Sequence, residues 1–305
     1  MIRIRLRHSF LLIAMLSAPA DVSAQGPSPY VAWGDAQIAQ IRREMRGRMP
    51  QADAELEESI SYHVVDTGEL NAVAIPSTLR GKREIRVASG LLEVIDDVAT
   101  MDAVSVLWNK TDCIGSYLNY IQSLVDSNDV LILGGLEGNP LMKPFPYMYS
   151  NPSICPQVSP DVISNNERRA DSYRSAAIHE SIKWVLLHEF AHHLHGDVHS
   201  SDTRMDRSQE RAADAYASIS MMHPPETPVQ AAGVLLLFFS LEGFRANTPA
   251  GDHPSSVQRL KDMLDFTRSS PQFAKTLDEA TPAQRTLIKA SLGQLDQMAA
   301  DAPNE

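Results

Sequence analysis

The chain has 305 residues, of which 43% are hydrophobic, 21% charged and 6% aromatic, and its formal net charge is −11. This length suffices for one large domain or two small ones with a substantial buried core. The negative charge argues against a nucleic-acid-binding protein, because such a protein needs a basic face to contact phosphates. We therefore expect a globular protein whose partners do not include nucleic acid.

The first 24 residues have the pattern of a secretory signal peptide. Arg3, Arg5 and Arg7 precede the apolar run FLLIAMLSAPA. The small residues Val22 and Ala24 then fit the −3 and −1 positions of a signal-peptidase site. An uncleaved anchor is the alternative, but the apolar run is shorter than the roughly 20 residues of a membrane-spanning helix. We expect residues 25–305 to be exported without a transmembrane span to a bacterial periplasm, with secretion as the alternative.

The segment after the signal peptide predicts two helices followed by a small β-structure. Helical spacing covers DAQIAQIRREMRGRM and continues in PQADAELEESISY. The pattern then changes to β-formers around a Thr-Gly turn, and residues 71–75 and 84–88 are predicted to be two short paired strands. A helix is predicted to begin near Ser89.

Residues 109–170 are predicted to form an irregular insertion. Six prolines lie between positions 140 and 160, and proline interrupts helices and sheets. Both cysteines of the chain, Cys113 and Cys155, fall in this segment. An even count in an exported protein favours a disulfide that closes the insertion, and two unrelated buried thiols are the alternative. Such an insertion serves as a lid or partner surface in some proteins and has no function of its own in others.

Helical patterns resume at Ser175. A helix of about 20 residues is predicted to end at Gly196, since glycine is the usual residue just after a helix. SQERAADAYASISMMH predicts the next helix, and the apolar run VQAAGVLLLFFSLEGF is long enough for a buried core helix but too short for a membrane span. SVQRLKDMLDFTR and PAQRTLIKASLGQLDQMA predict two amphipathic helices. Together these elements predict a predominantly helical α+β domain over residues 25–305.

His188, Glu189 and His192 lie in HEFAH, which has the H-E-x-x-H pattern of zinc peptidases. Residues four apart share one helix face, so the two imidazoles can bind a single zinc ion per chain. Glu189 lies one residue round the helix, where it can take a proton from zinc-activated water. A chance match on a surface helix is the alternative. The surrounding apolar sequence argues against it, because unsatisfied His and Glu side chains are costly to bury.

A catalytic zinc site needs a third protein ligand. The metzincin pattern H-E-x-x-H-x-x-G-x-x-H fails here, because position 195 is His and position 198 is Val. Glu210 in ERAAD on the next helix is the better candidate, and Asp214, one turn further on, can accept the free N–H of a ligand histidine. The alternative is a solvated face shared with Arg211. The remaining histidines near the motif are expected at the surface or beside the ligands: His193, His195 and His199.

The pairing of HEFAH with ERAAD resembles the gluzincins with E-x-x-A-D, and in particular the M48 family of metallopeptidases. YHVVDTGELNAVAIP and REIRVASGLLEVIDD are similar to that family's hairpin and Gly-Leu-Leu, and DHPSSVQRL is similar to its later His-Pro motif. The resemblance covers roughly residues 35–95 and 175–265. It implies a zincin-like metallopeptidase domain with the metal ligands His188, His192 and Glu210.

The same resemblance implies roles for Glu189 as general base and for His253, which would stabilise the oxyanion or cap the idle zinc with support from Arg259. The chain departs from the family pattern in the long segment between Gly-Leu-Leu and the zinc helix and in Ala191, where the family usually has Gly. The implied function is a zinc endopeptidase of the cell envelope that cleaves misfolded proteins, with its substrate extended along residues 84–88.

Two alternatives stay open at this point. The chain could be a zinc-stabilised periplasmic binding or chaperone-like module that holds a partner with its Pro-rich insertion and has latent or no protease activity. It could also be a latent enzyme plugged by the insertion or by His253. The presence of Glu189 argues against a purely structural zinc site, which needs no general base. The sequence makes no prediction of the oligomeric state.

Overall fold

The computed structural model describes residues 27–75, 82–133, 139–161, 168–197, 207–221 and 256–282, with scattered positions between 285 and 296. The helices within these residues are α1 (Pro29–Arg46), α2 (Gln51–Glu58), α3 (Ser89–Leu107), α4 (Thr111–Leu133), α5 (Pro144–Ser150), α6 (Arg168–His195), α7 (Arg207–Met221), α8 (Ser256–Ser269) and α9 (Pro271–Glu279). The strands are β1 (Ile60–Val65), β2 (Ala72–Ile75) and β3 (Arg83–Ala88). None of the helices in the described ranges is long and apolar enough to span a bilayer.

The architecture is α+β and predominantly helical, which confirms the predicted fold class. The three strands form one sheet in the order β1-β3-β2. The predicted pairing of residues 71–75 with 84–88 is confirmed, because β2 runs antiparallel to β3. Strand β1 pairs in parallel with the other side of β3. The backbone of β3 is therefore engaged on both sides, and the prediction that a substrate adds to residues 84–88 is wrong.

The N-terminus of α3 packs closely against the turn that follows β1. The Gly90 N–H donates to the Thr67 carbonyl oxygen at 2.8 Å, and the Ser89 hydroxyl donates to the same oxygen at 2.9 Å. A Cβ atom on Gly90 would lie 2.6 Å from the backbone carbon of Gly68 and 2.7 Å from the carbonyl oxygen of Glu69. Glycine is thus required here by the close approach of two backbone segments.

We expect Gly90→Ala to lower the free energy of unfolding by about 1–3 kcal/mol, because the added methyl group overlaps backbone that cannot move aside cheaply. Gly115→Ala in α4 is the matched control, since a Cβ there meets nothing within 4 Å. That control should be stabilising by up to about 1 kcal/mol, because alanine favours the helix. Urea unfolding of both variants checks the prediction, and equal effects at the two positions would contradict it.

The segment 109–170 is more regular than predicted. Helix α4 occupies 23 residues of it, because the prolines begin only at position 140 and leave Thr111–Leu133 uninterrupted. Helix α5 begins at a proline, which is tolerated in the first helical turn. The predicted disulfide is confirmed: Cys113 at the start of α4 and Cys155 after α5 are bonded, with Cα atoms 4.8 Å apart, and both are buried.

Helix α6 is the longest of the described helices and contacts α1, α3, α7 and the sheet. It begins earlier than the predicted Ser175, and the predicted end at Gly196 is confirmed by a left-handed backbone with φ of 74°. Arg174 donates to the Thr100 hydroxyl of α3 at 2.8 Å, and the His179 Nε2 lies 2.9 Å from the Glu44 carboxylate of α1. These contacts fix the part of α6 that precedes H-E-x-x-H.

Helix α8 confirms the amphipathic helix predicted from SVQRLKDMLDFTR, and α9 after it was not predicted. Several other predictions fall outside the described residues: the signal peptide, the apolar helix at 229–244 and most of the final amphipathic helix.

Candidate metal centre

The two histidines of H-E-x-x-H lie one turn apart on α6 and are both buried. Their Nε2 atoms are 3.1 Å apart, and their rings are nearly perpendicular, with centroids 4.8 Å apart. The indole of Trp184, one turn before His188, stacks on the His188 imidazole at a centroid distance of 5.2 Å. Two ring nitrogens therefore converge on one point, and an aromatic wall limits the rotation of the first ring.

Helix α7 brings a carboxylate to the same point. Glu210, in the first turn of α7, places Oε2 3.4 Å from His188 Nε2 and Oε1 3.6 Å from His192 Nε2. One ligand atom from each of the three residues falls within 4.8 Å of the others, and this is the group in the described part of the chain that could hold a metal ion. Two imidazole nitrogens and one carboxylate oxygen suit zinc and leave a fourth tetrahedral position open.

Asp214 lies on the far side of the His188 ring from this point. Its Oδ1 is 3.0 Å from His188 Nδ1. Glu210 and Asp214 are 2% and 3% exposed, so the solvated face considered as the alternative is wrong. Arg211 between them is half-exposed and instead pairs with Asp262 of α8 at 2.5 Å. The structure thus places Asp214 where it can hold the tautomer of His188 that directs Nε2 at a metal.

The pKa values of the two imidazoles are shifted in opposite directions. At His188, burial opposes a positive charge, but the Asp214 and Glu210 carboxylates outweigh it and raise the pKa to about 10. At His192, burial and the neighbouring charge of His188 lower the pKa to about 4. The carboxylates thus favour one positive charge at this point, and a metal ion that binds there would replace the proton on His188, because a ligand histidine must be neutral.

The structure describes only part of what was predicted for Glu189, His253 and Arg259. Glu189 is buried on α6 beside His188. His253 lies outside the described residues. Arg259 lies on α8, but its side chain is outside what the structure describes.

Two residues near the ligands, His193 and Asp197, make contacts that were not predicted from the sequence. His193 is 5% exposed, so the surface interpretation of this residue is wrong, and its Nε2–H donates to the Glu84 carbonyl oxygen of β3 at 3.0 Å. Burial lowers the pKa of His193. Asp197 Oδ2 lies 3.5 Å from His192 Nδ1. The sequence signal for Asp197 is its position directly after Gly196, where a left-handed turn folds the chain back over the helix end.

His195 is exposed, as the surface interpretation expects, and its Nδ1 lies 3.8 Å from Asp197 Oδ2. His199 lies outside the described residues.

A comparison with known protein families finds a match that covers the residues of this site. The Peptidase U49 family profile matches residues 142–274, which include His188, Glu189, His192 and Glu210. No curated protein and no solved structure matches the chain. The match indicates a peptidase family and supports a hydrolase, without indicating the M48 family specifically.

Proposed function

We propose that this protein is a zinc-dependent metalloendopeptidase of the bacterial cell envelope. The observation that carries the proposal is the convergence of His188, His192 and Glu210 on one buried point, from two different helices. The peptidase family match spans the same residues and supports it. A His₂Glu donor set with one open position is typical of catalytic rather than structural zinc.

The roles of the side chains follow from their chemistry. His188, His192 and Glu210 would hold the ion. A bound zinc ion supplies Lewis acidity, which makes water easier to deprotonate and polarises a peptide carbonyl. The Glu189 carboxylate accepts a proton as water attacks the carbonyl carbon, and it returns that proton to the amine nitrogen as the C–N bond breaks. His253 is proposed to stabilise the oxyanion.

The substrate is proposed to bind along β2 rather than β3. Strand β2 is the end of the sheet that lies next to α6. An extended peptide that pairs with the outer edge of β2 would add a strand to the sheet. The proposal moves strand addition from residues 84–88, whose backbone is paired on both sides, to the neighbouring strand that contacts α6.

We propose the M48 family as the finer assignment. It is supported by the combination of HEFAH with ERAAD, by the β2–β3 hairpin, and by the close packing of the Gly-Leu-Leu segment at the start of α3. Export is supported by the N-terminal pattern and by the Cys113–Cys155 disulfide, since disulfides persist in oxidising compartments. Cleavage of misfolded envelope proteins is proposed by family analogy.

Metal analysis of Glu210→Ala tests the proposal. The purified mature protein should contain close to one zinc ion per chain. Loss of a residue that hydrogen-bonds to a metal ligand typically weakens metal binding by about 10–100-fold. Because Glu210→Ala removes a ligand itself, its zinc affinity should fall by more than that factor. Glu58→Ala, an exposed glutamate on α2, is the control and should bind zinc as the unaltered chain does. A chain without zinc, or a Glu210→Ala variant with undiminished affinity, would refute the metal centre.

Thermal melts with and without a chelator separate this proposal from a zinc-stabilised binding module. A structural zinc ion is part of the folding energy, so its removal would unfold the chain. The large apolar core between α1, α3, α6 and the sheet should instead keep the metal-free peptidase folded.

A further inference from the structure

The turn that ends α6 brings a further carboxylate, that of Asp197, next to one of the converging histidines. Gly196 adopts a left-handed conformation, and the N–H of the next residue, Asp197, donates to the His192 carbonyl oxygen at 3.0 Å. This hydrogen bond folds the chain back over the last helical turn, as in the Schellman motif. As a result, the Asp197 side chain lies over the imidazole of His192, with Oδ2 3.5 Å from Nδ1.

The other oxygen of Asp197 is held by α7. Gln209 Nε2 donates to Asp197 Oδ1 at 3.2 Å, and Gln209 directly precedes Glu210. The Asp197 carboxylate is mostly buried. One of its oxygens lies next to the His192 ring of α6, and the other accepts a hydrogen bond from the Gln209 amide of α7. The carboxylate thereby links the helix that carries two of the three converging ligands to the helix that carries the third.

The two histidines therefore have matching arrangements built from different parts of the chain. His188 Nδ1 faces Asp214 of α7 at 3.0 Å, and His192 Nδ1 faces Asp197, two residues beyond the end of α6, at 3.5 Å. In both rings the nitrogen opposite the carboxylate is the one that points at Glu210. A carboxylate on Nδ1 fixes the tautomer that leaves Nε2 free to bind a metal and raises its basicity.

We propose that Asp197 is a positioning residue for the metal site and acts through His192, an inference that rests on the proposed function because it presumes a metal at His188, His192 and Glu210. Asp197 accepts a hydrogen bond from His192 Nδ1–H and does not touch the metal or the substrate. Gly196 is required because its left-handed turn directs Asp197 back to the ring, and Gln209 keeps the carboxylate there.

The test is the zinc affinity of Asp197→Asn in the full mature chain, measured by competition with a chromophoric chelator. We expect about 10–100-fold weaker zinc binding, while the melting temperature of the metal-free protein is unchanged, because asparagine keeps the shape and the backbone N–H. The absorption spectrum of the Co²⁺-loaded variant should also change, since the His192 ring is held less rigidly. Asp171→Asn, on the exposed face of α6, is the control and should leave affinity and spectrum unaltered.

A second variant guards against an effect on folding alone. Gln209→Ala keeps Asp197 and its turn but removes the amide that holds the carboxylate, so it should weaken zinc binding in the same direction by a smaller factor. If the unaltered chain binds zinc and both variants bind it equally well with the same cobalt spectrum, the role of Asp197 is overturned and the metal centre stands. If the unaltered chain binds no zinc, the proposed function itself is wrong.

Discussion

Replacing Glu189 with glutamine should lower peptide hydrolysis by about 10²–10⁴-fold, the usual contribution of a general base, with zinc content unchanged. Glutamine has nearly the same shape as glutamate but cannot accept the proton of the attacking water. Glu189 is not among the three converging ligands, so the metal should remain bound. Casein cleavage and autolysis measured beside metal analysis of the same preparation check both parts of the expectation.

Glu58→Gln is the matched control, because it makes the same chemical change at an exposed position on α2, and it should leave cleavage unchanged. If Glu189→Gln cleaves casein as fast as the unaltered chain, the general-base mechanism is wrong. If the variant loses zinc together with its activity, Glu189 contributes to metal binding and is not the base of a three-ligand site.

Removing the disulfide by a Cys113→Ala and Cys155→Ala double substitution should cost about 4 kcal/mol of unfolding free energy, from the loop-closure relation applied to the separation of 42 residues. The bond restricts the unfolded chain by tying the start of α4 to the segment after α5. Urea denaturation of the oxidised protein and of the double variant measures the difference.

The metal centre should be spared by this change. The bond joins the α4 and α5 segments, whereas the converging ligands lie on α6 and α7. Zinc affinity of the folded double variant should therefore equal that of the oxidised chain. An unchanged urea midpoint would show that the bond adds no stability, and a parallel loss of zinc affinity would show that α4 and α5 support the site after all.

The local part of the candidate site could be predicted from the sequence. His188 and His192 are four residues apart, and helical geometry alone places them on one face. Glu210 and Asp214 repeat that spacing on the next helix, so their side chains also share a face. Strands β2 and β3 were predictable for a similar reason, because they are neighbours in sequence and alternate in polarity.

The contacts that escaped prediction depend on long-range packing. The parallel pairing of β1 with β3 joins segments separated by a connection that carries β2, and no local pattern specifies it. His193 is polar and next to a ligand, so only the packing of α6 on β3 shows that it is buried. Asp197 follows a predictable helix end, but its direction depends on the left-handed angle of Gly196.

The ends of the two site helices also set the sign of the backbone field at the metal centre. His188 and His192 lie in the last two turns of α6, the end of a helix that carries partial negative charge, and Glu210 lies in the first turn of α7, the end that carries partial positive charge. The C-terminal end of α6 attracts a cation, and the N-terminal end of α7 favours the ionised carboxylate, each by about 0.3–1 kcal/mol. The two helix dipoles thus act together: both favour a cation that is bound between the histidines of α6 and the ionised Glu210 of α7.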